Sequence, residues 1–144
     1  CMKDNFQQLI KLLQLGDIRF MDSHESVLRI PENFLSDSNL SVESGQAYDK
    51  KNPIITGDCL LFRVKYVFSF LYSKEPYFKA EYIVNIFFKA SDLKKVQELL
   101  QDEEVKKIFL EKQLTHTMWP ILRGTLMNAF SRHSLHPSML PWIV

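Results

Sequence analysis

Between Leu60 and Tyr72 every even position is apolar or aromatic: Leu60, Phe62, Val64, Tyr66, Phe68, Phe70 and Tyr72. A period of two is the pleat of a β-strand, where successive side chains point to opposite faces. The odd positions, Leu61, Arg63, Lys65, Val67, Ser69 and Leu71, make a mixed second face. Ser73-Lys74-Glu75-Pro76 predicts a turn. A second alternation follows, with Phe78, Ala80, Tyr82, Val84, Ile86, Phe88 and Ala90 on one side and Lys79, Glu81, Ile83, Asn85, Phe87 and Lys89 on the other. The expectation is a hairpin of two long strands.

The rest of the chain is read around that hairpin. Phe6, Leu9, Ile10, Leu12 and Leu13 follow helical spacing, which predicts an amphipathic helix in residues 1–15 ended by Gly16. Asp17-Ile18-Arg19-Phe20 begins a first strand. A loop is expected over residues 31–38, where Pro31 lacks a donor and Asn, Asp and Ser offer the backbone local hydrogen bonds. Leu40 and Val42 predict a short strand, and Gly45 through Gly57 reads as irregular. Ser91 is placed to cap a helix running to about Leu114, and Pro120 suits the first turn of another. The organisation expected is one domain: helix 1–15, antiparallel sheet 17–90, helices 91–134 and tail 135–144. Strands first and helices last favour an α+β fold with helices on one face of the sheet.

Charge excludes one class of partner. Lys and Arg number 18 and Asp and Glu 17, a net charge of +1, so no field of one sign is available to steer nucleic acid. No apolar run approaches the roughly 20 residues that span a bilayer, and residues 1–15 lack a continuous apolar signal region, so a cytoplasmic location is expected. Cys1 and Cys59 are too few for a disulfide framework.

A search for catalytic chemistry yields little. There is no Gly-rich phosphate loop and no Gly-x-Ser-x-Gly elbow, and only four Gly are present. His116, His133 and His136 have no neighbouring cysteine or carboxylate in sequence to complete a metal site. Asp102, Glu103 and Glu104 stand beside Lys106 and Lys107, the pattern of a solvated helix face. Neither catalytic residue, metal nor cofactor is expected.

The apolar surplus says more. Hydrophobic residues make up 46% of the chain, eleven of them Phe. If helices cover the even faces of the hairpin, Leu61, Val67, Leu71, Ile83 and Phe87 remain on the other. Each large apolar side chain is worth about 1.5 to 3 kcal/mol when fully buried. Self-association through that face is expected; the alternative is a monomer covered by residues 1–15.

Trp119-Pro120-Ile121-Leu122-Arg123, Phe130-Ser131-Arg132, Pro137 and Leu140-Pro141 resemble the C-terminal half of SecB-like export chaperones. Asp17 to Phe20 resembles that family's first strand, Pro31 to Phe34 its crossover loop, Asp58 to Val64 its third strand and Phe78 to Phe87 its fourth. The resemblance implies a four-stranded antiparallel sheet with a crossover loop, packed on one face by two C-terminal helices, in a dimer of dimers that holds unfolded polypeptide clients. It implies groove or groove-supporting roles for Phe34, Leu35, Trp119, Leu122, Leu126 and Phe130, with Trp142 added because a large side chain behind two prolines near a chain end often docks. It implies docking to a SecA-type translocase motor through Asp17 and Glu81, although Met21 replaces an acid of the family and Lys79 an apolar residue. A relative dedicated to one client, such as an antitoxin, and an oligomer without chaperone activity are the other readings.

Overall fold

The hairpin forms the centre of a computed structural model that describes residues 1–31 and 39–136. Strands β4 (Cys59–Tyr72) and β5 (Glu75–Ala90) are joined by Ser73 and Lys74 alone. Their φ values of 49° and 66° are both left-handed, as a two-residue type I′ turn requires to match the twist of the strands. The turn is thus shorter than expected, and Pro76 lies inside β5. The even positions of both strands are buried apart from Tyr72 and Pro76 beside the turn, which are half-buried. Around them the sheet adds β1 (Leu13–Val27), β2 (Leu40–Tyr48) and the short β3 (Ile54–Thr56), in the order β1-β5-β4-β2 with β3 on β4. Among the described residues the sheet is antiparallel and has five strands rather than four. Because β1 and β2 lie at opposite edges, the chain crosses from one to the other between Val27 and Leu40.

Several element boundaries differ from expectation. Helix α1 (Met2–Leu12) stops three residues early, and Gly16 lies within β1 rather than ending a helix. Strand β2 continues to Tyr48 through Gly45, where a β-carbon would come within 3.3 Å of Val67 Cγ2. A residue without a side chain lets Val67 close down on the strand, so this glycine permits the strand instead of breaking it. Residues 54–56, read as irregular, pair with 59–61.

The helical region divides where its capping carboxylates stand. Asp92, not Ser91, caps α2 (Leu93–Leu100) by accepting from Lys95 N at 3.1 Å. Asp102 caps a separate α3 (Glu103–Ile108), accepting from Glu104 N at 3.0 Å and Val105 N at 3.4 Å. A π-helical turn (Phe109–Gln113) leads into α4 (Leu114–Arg132). Pro120 therefore lies inside α4 and does not open it. An interior proline costs about 3 kcal/mol, which the packing of the ridge Leu114, Met118, Leu122, Leu126 and Phe130, all fully or almost fully buried, offsets.

Two compact units are distinguishable. The first comprises Cys1–Arg19, Tyr48–Val64 and Val84–Pro120; the second comprises Phe20–Ala47, Lys65–Ile83 and Ile121–Val144. A triangle of rings is central to each. In the first unit Phe62, Phe88 and Phe109 have centroids 5.1 to 5.7 Å apart. In the second, Phe70, Phe78 and Phe130 are 5.1 to 6.0 Å apart. Among the described residues no helix is long and apolar enough to cross a membrane.

Candidate functional site

Of the residues first expected to line a groove, the four that the structure describes lie mostly under the surface. Leu122, Leu126 and Phe130 are buried, and Trp119 is half-buried. Any part the first three play in binding is as a supporting layer. Phe34, Leu35 and Trp142 lie outside the described residues. Among the described residues, the apolar surface of the second unit comes from Ile121 and Met127 on the outward side of α4, and from Met21, Val27, Leu28 and Ile30 along β1 and its continuation. Ile30 is 75% exposed and Leu28 50%, too open for side chains of an ordinary core.

These two residues are held outward by the one between them. Arg29 Nη2 donates to the carbonyls of Tyr72 at 2.8 Å and Glu75 at 3.1 Å, and lies 3.6 Å from the Glu75 carboxylate. It thereby closes over both ends of the Ser73-Lys74 turn. Leu28 N also donates to Tyr77 O at 2.8 Å. In an extended chain successive side chains point to opposite sides. Fixing Arg29 against the turn leaves Leu28 and Ile30 on the other side. Sequence reading missed this pair because it merges with the expected end of a strand; the signal available was Leu-Arg-Ile immediately before Pro31.

Behind β1 lies an ion cluster. The Glu25 side chain is 7% exposed. Arg132 meets it with both guanidinium ends, Nη1 to Oε1 at 2.8 Å and Nη2 to Oε2 at 3.0 Å, Tyr82 OH donates to Oε2 at 2.6 Å, and His133 Nε2 lies 3.6 Å from Oε1. Burial alone raises the Glu25 pKa, but the bonds from Tyr82 and Arg132, the Arg132 charge and His133 together hold it below the ordinary carboxylate value. Burial, then the Glu25 bond and charge, push the Tyr82 hydroxyl well up. With every strong donor directed at one carboxylate, the cluster fastens the end of α4 to β1. Among the described residues no three His, Cys, Asp or Glu side chains gather as metal ligands.

In the first unit the π turn makes its own requirement. Leu114 N donates to Phe109 O rather than to Leu110 O, so Leu110 lacks the bond it would receive in an α-helix. The Tyr48 hydroxyl donates to that carbonyl in a very short hydrogen bond. Burial pushes Tyr48 up to about 12, against a smaller lowering by the Thr115 bond and with a further rise from Glu111.

The outer face of the sheet is less open than the alternation implied. Leu61 and Leu71 are only 9% and 8% exposed within the chain itself, and Val67, Ile83 and Phe87 are half-buried. Arg19 lies over the Phe87 ring, 5.3 Å from its centroid. The two carboxylates expected to dock a translocase each meet a cation of their own strand or its neighbour: Asp17 accepts from Arg19 Nε at 2.7 Å, and Glu81 lies 3.6 Å from Lys65 Nζ.

No family model and no curated protein matches this sequence. Among solved structures the chain is similar to the SecB-like chaperone Rv1957 of Mycobacterium tuberculosis, determined in complex with a ChAD peptide from the antitoxin HigA1 (Rv1956). The likeness has a TM-score of 0.72 at 14% sequence identity and covers 99% of this chain and 98% of the other. The fold is SecB-like.

Proposed function

We propose that this chain is a chaperone subunit that holds non-native polypeptide against the apolar surface of its second unit. The observation that carries the reading is the Leu28 and Ile30 pair, kept outward by Arg29 at the point where the chain leaves β1. An extended client segment gains affinity by covering such side chains, and low sequence selectivity follows because any apolar residue does so. The buried ridge Leu122, Leu126 and Phe130 would support the surface from below. Self-association of subunits, as in a dimer of dimers, fits the outward α4 residues Ile121 and Met127 better than the outer sheet face, where Leu61 and Leu71 are already covered. Docking of a SecA-type motor through Asp17 and Glu81 would first have to separate them from Arg19 and Lys65.

A second reading, a chaperone dedicated to an antitoxin, is favoured by the antitoxin peptide bound to the similar structure. Light scattering of an unrelated, thermally unfolded protein tests the main proposal. The chain should suppress aggregation at equimolar oligomer or below, and the double variant L28D/I30D, altered only at exposed positions, should lose most of that effect while keeping its circular dichroism. A chain with no effect on any unfolded client would overturn the general reading; selective binding of one partner antitoxin would replace it by the dedicated one.

A further inference from the structure

Asn52 and Asn85, 2% and 5% exposed, are buried polar residues, and both hold Arg63. Asn52 takes the place of a neighbouring strand: its Nδ2 donates to Arg63 O at 2.8 Å and its Oδ1 accepts from Arg63 N at 3.0 Å. Asn85 Oδ1 accepts from Arg63 Nε at 2.8 Å. Burying an amide is costly unless its hydrogen bonds are made, and here two are buried to fix the backbone and one guanidinium nitrogen of a side chain that is itself exposed. A guanidinium has five N–H donors in a rigid fork, and the Asn85 bond occupies one.

Arg63 does not stand alone on its face. Asn85, Phe87 and Lys89 are alternate residues of β5 and point the same way. Arg19 is laid over Phe87 and steadied through its Nε by Asp17, much as Arg63 is by Asn85. Three cations, Arg19, Arg63 and Lys89, thus border a ridge of β5 that spans roughly 13 Å from Asn85 to Lys89 at the rise of an extended chain. Asp17 is a carboxylate set among them, and Asp58 lies near Lys89, both acting on the Cys59 thiol. Two of the three are arginines oriented in advance, which favours partners with planar, two-oxygen anions.

We propose that the outer sheet face of the first unit docks a partner protein through an extended acidic segment whose carboxylates fall on alternate residues. Same-side groups of an extended segment repeat about every 7 Å, the spacing of Asn85, Phe87 and Lys89 along β5. A nucleic acid fits less well, since it needs a longer track of cations than three and a more basic chain. The inference does not rest on client binding by the second unit, and the two are tested apart.

Fluorescence anisotropy of a labelled peptide of about twelve alternating Glu and Ser residues, added to the full chain, tests it. The peptide should bind at low salt, weaken as salt rises, and exceed a Lys-Ser counterpart and a Glu-Ser peptide of scrambled order. Arg63→Gln should reduce affinity by about tenfold through loss of the fork. Lys89→Glu, at an exposed position outside the asparagine network, should reduce it as well and keeps the test decisive if Arg63→Gln fails to fold. Equal binding of the Lys-Ser or scrambled peptide, unchanged affinity in Lys89→Glu, or tighter binding of an oligonucleotide or an anionic vesicle of equal charge would overturn the proposal.

Discussion

The two units secure their helices to the sheet by different chemistry. In the first, the hydroxyl of Tyr48 meets a backbone carbonyl displaced by the π turn, an interaction between neutral groups. In the second, the end of α4 is fastened by a carboxylate bonded to a guanidinium, a phenol and an imidazole. Each arrangement satisfies a buried polar group, yet they respond differently to the medium. A neutral bond is indifferent to pH across the ordinary range, whereas an ionic one fails when the carboxylate takes up a proton. Packing, by contrast, is alike: each unit centres on three phenylalanines in mutual contact.

The largest effects should come from what the units share. Phe109→Ala and Phe130→Ala remove buried rings and should each cost about 3 to 5 kcal/mol, measured as a shift of the urea midpoint. A much smaller loss for one would show that its ring triangle packs loosely and would break the parallel. Next in size, Glu25→Gln should cost about 1 to 3 kcal/mol at neutral pH by taking the charge from the Arg132 fork. The Glu25 pKa is lowered on folding, so its contribution is fully present above the unfolded value of 4.5 and is lost as the pH falls through the folded one. Parent and variant midpoints should therefore converge in acid; a constant gap would remove the ionic explanation. Smallest, Tyr48→Phe should cost about 1 to 2 kcal/mol by leaving the Leu110 carbonyl short of a donor. That loss should hold steady from about pH 5 to about pH 9, below the unfolded value of 10.0, and fall only as the pH rises from there through the raised folded one. A gap that shrinks in acid would put Tyr48 in the same class as Glu25.

What could be read in advance follows from how local each signal is. The β4–β5 hairpin was legible because thirteen consecutive residues, Leu60 to Tyr72, repeat one period and are then answered by another run of the same period. Strand β2 beyond Val42 was not, because Glu43-Ser44-Gly45-Gln46 carries no apolar alternation; its extended form depends on pairing with β4 and on space left beside Val67. The π turn is invisible locally, since the hydroxyl that meets it lies 62 residues earlier. Glu25 reads as one polar residue among Ser23, His24 and Ser26, while its partners stand at 82 and 132. At the candidate site the same limit operated in reverse. Leu122, Leu126 and Phe130 drew attention by their four-residue spacing, but apolar residues at that spacing mark the side of a helix that packs inward. The outward residues Ile121 and Met127 lie off that ridge, and Leu28 and Ile30 acquire their exposure only from the distant turn that Arg29 grips.

The order of strands in the sheet also sets a timetable for synthesis. Strand β1 is made first, yet its neighbour is β5, the last strand to leave the ribosome. Some fifty residues separate Val27 from Glu75, so this pairing is non-local and slow compared with closure of the β4–β5 hairpin. Until β5 emerges, the nascent chain carries an unmatched strand edge with Leu28 and Ile30 at its end, and whatever shields that stretch during translation governs how much of the protein reaches its native form.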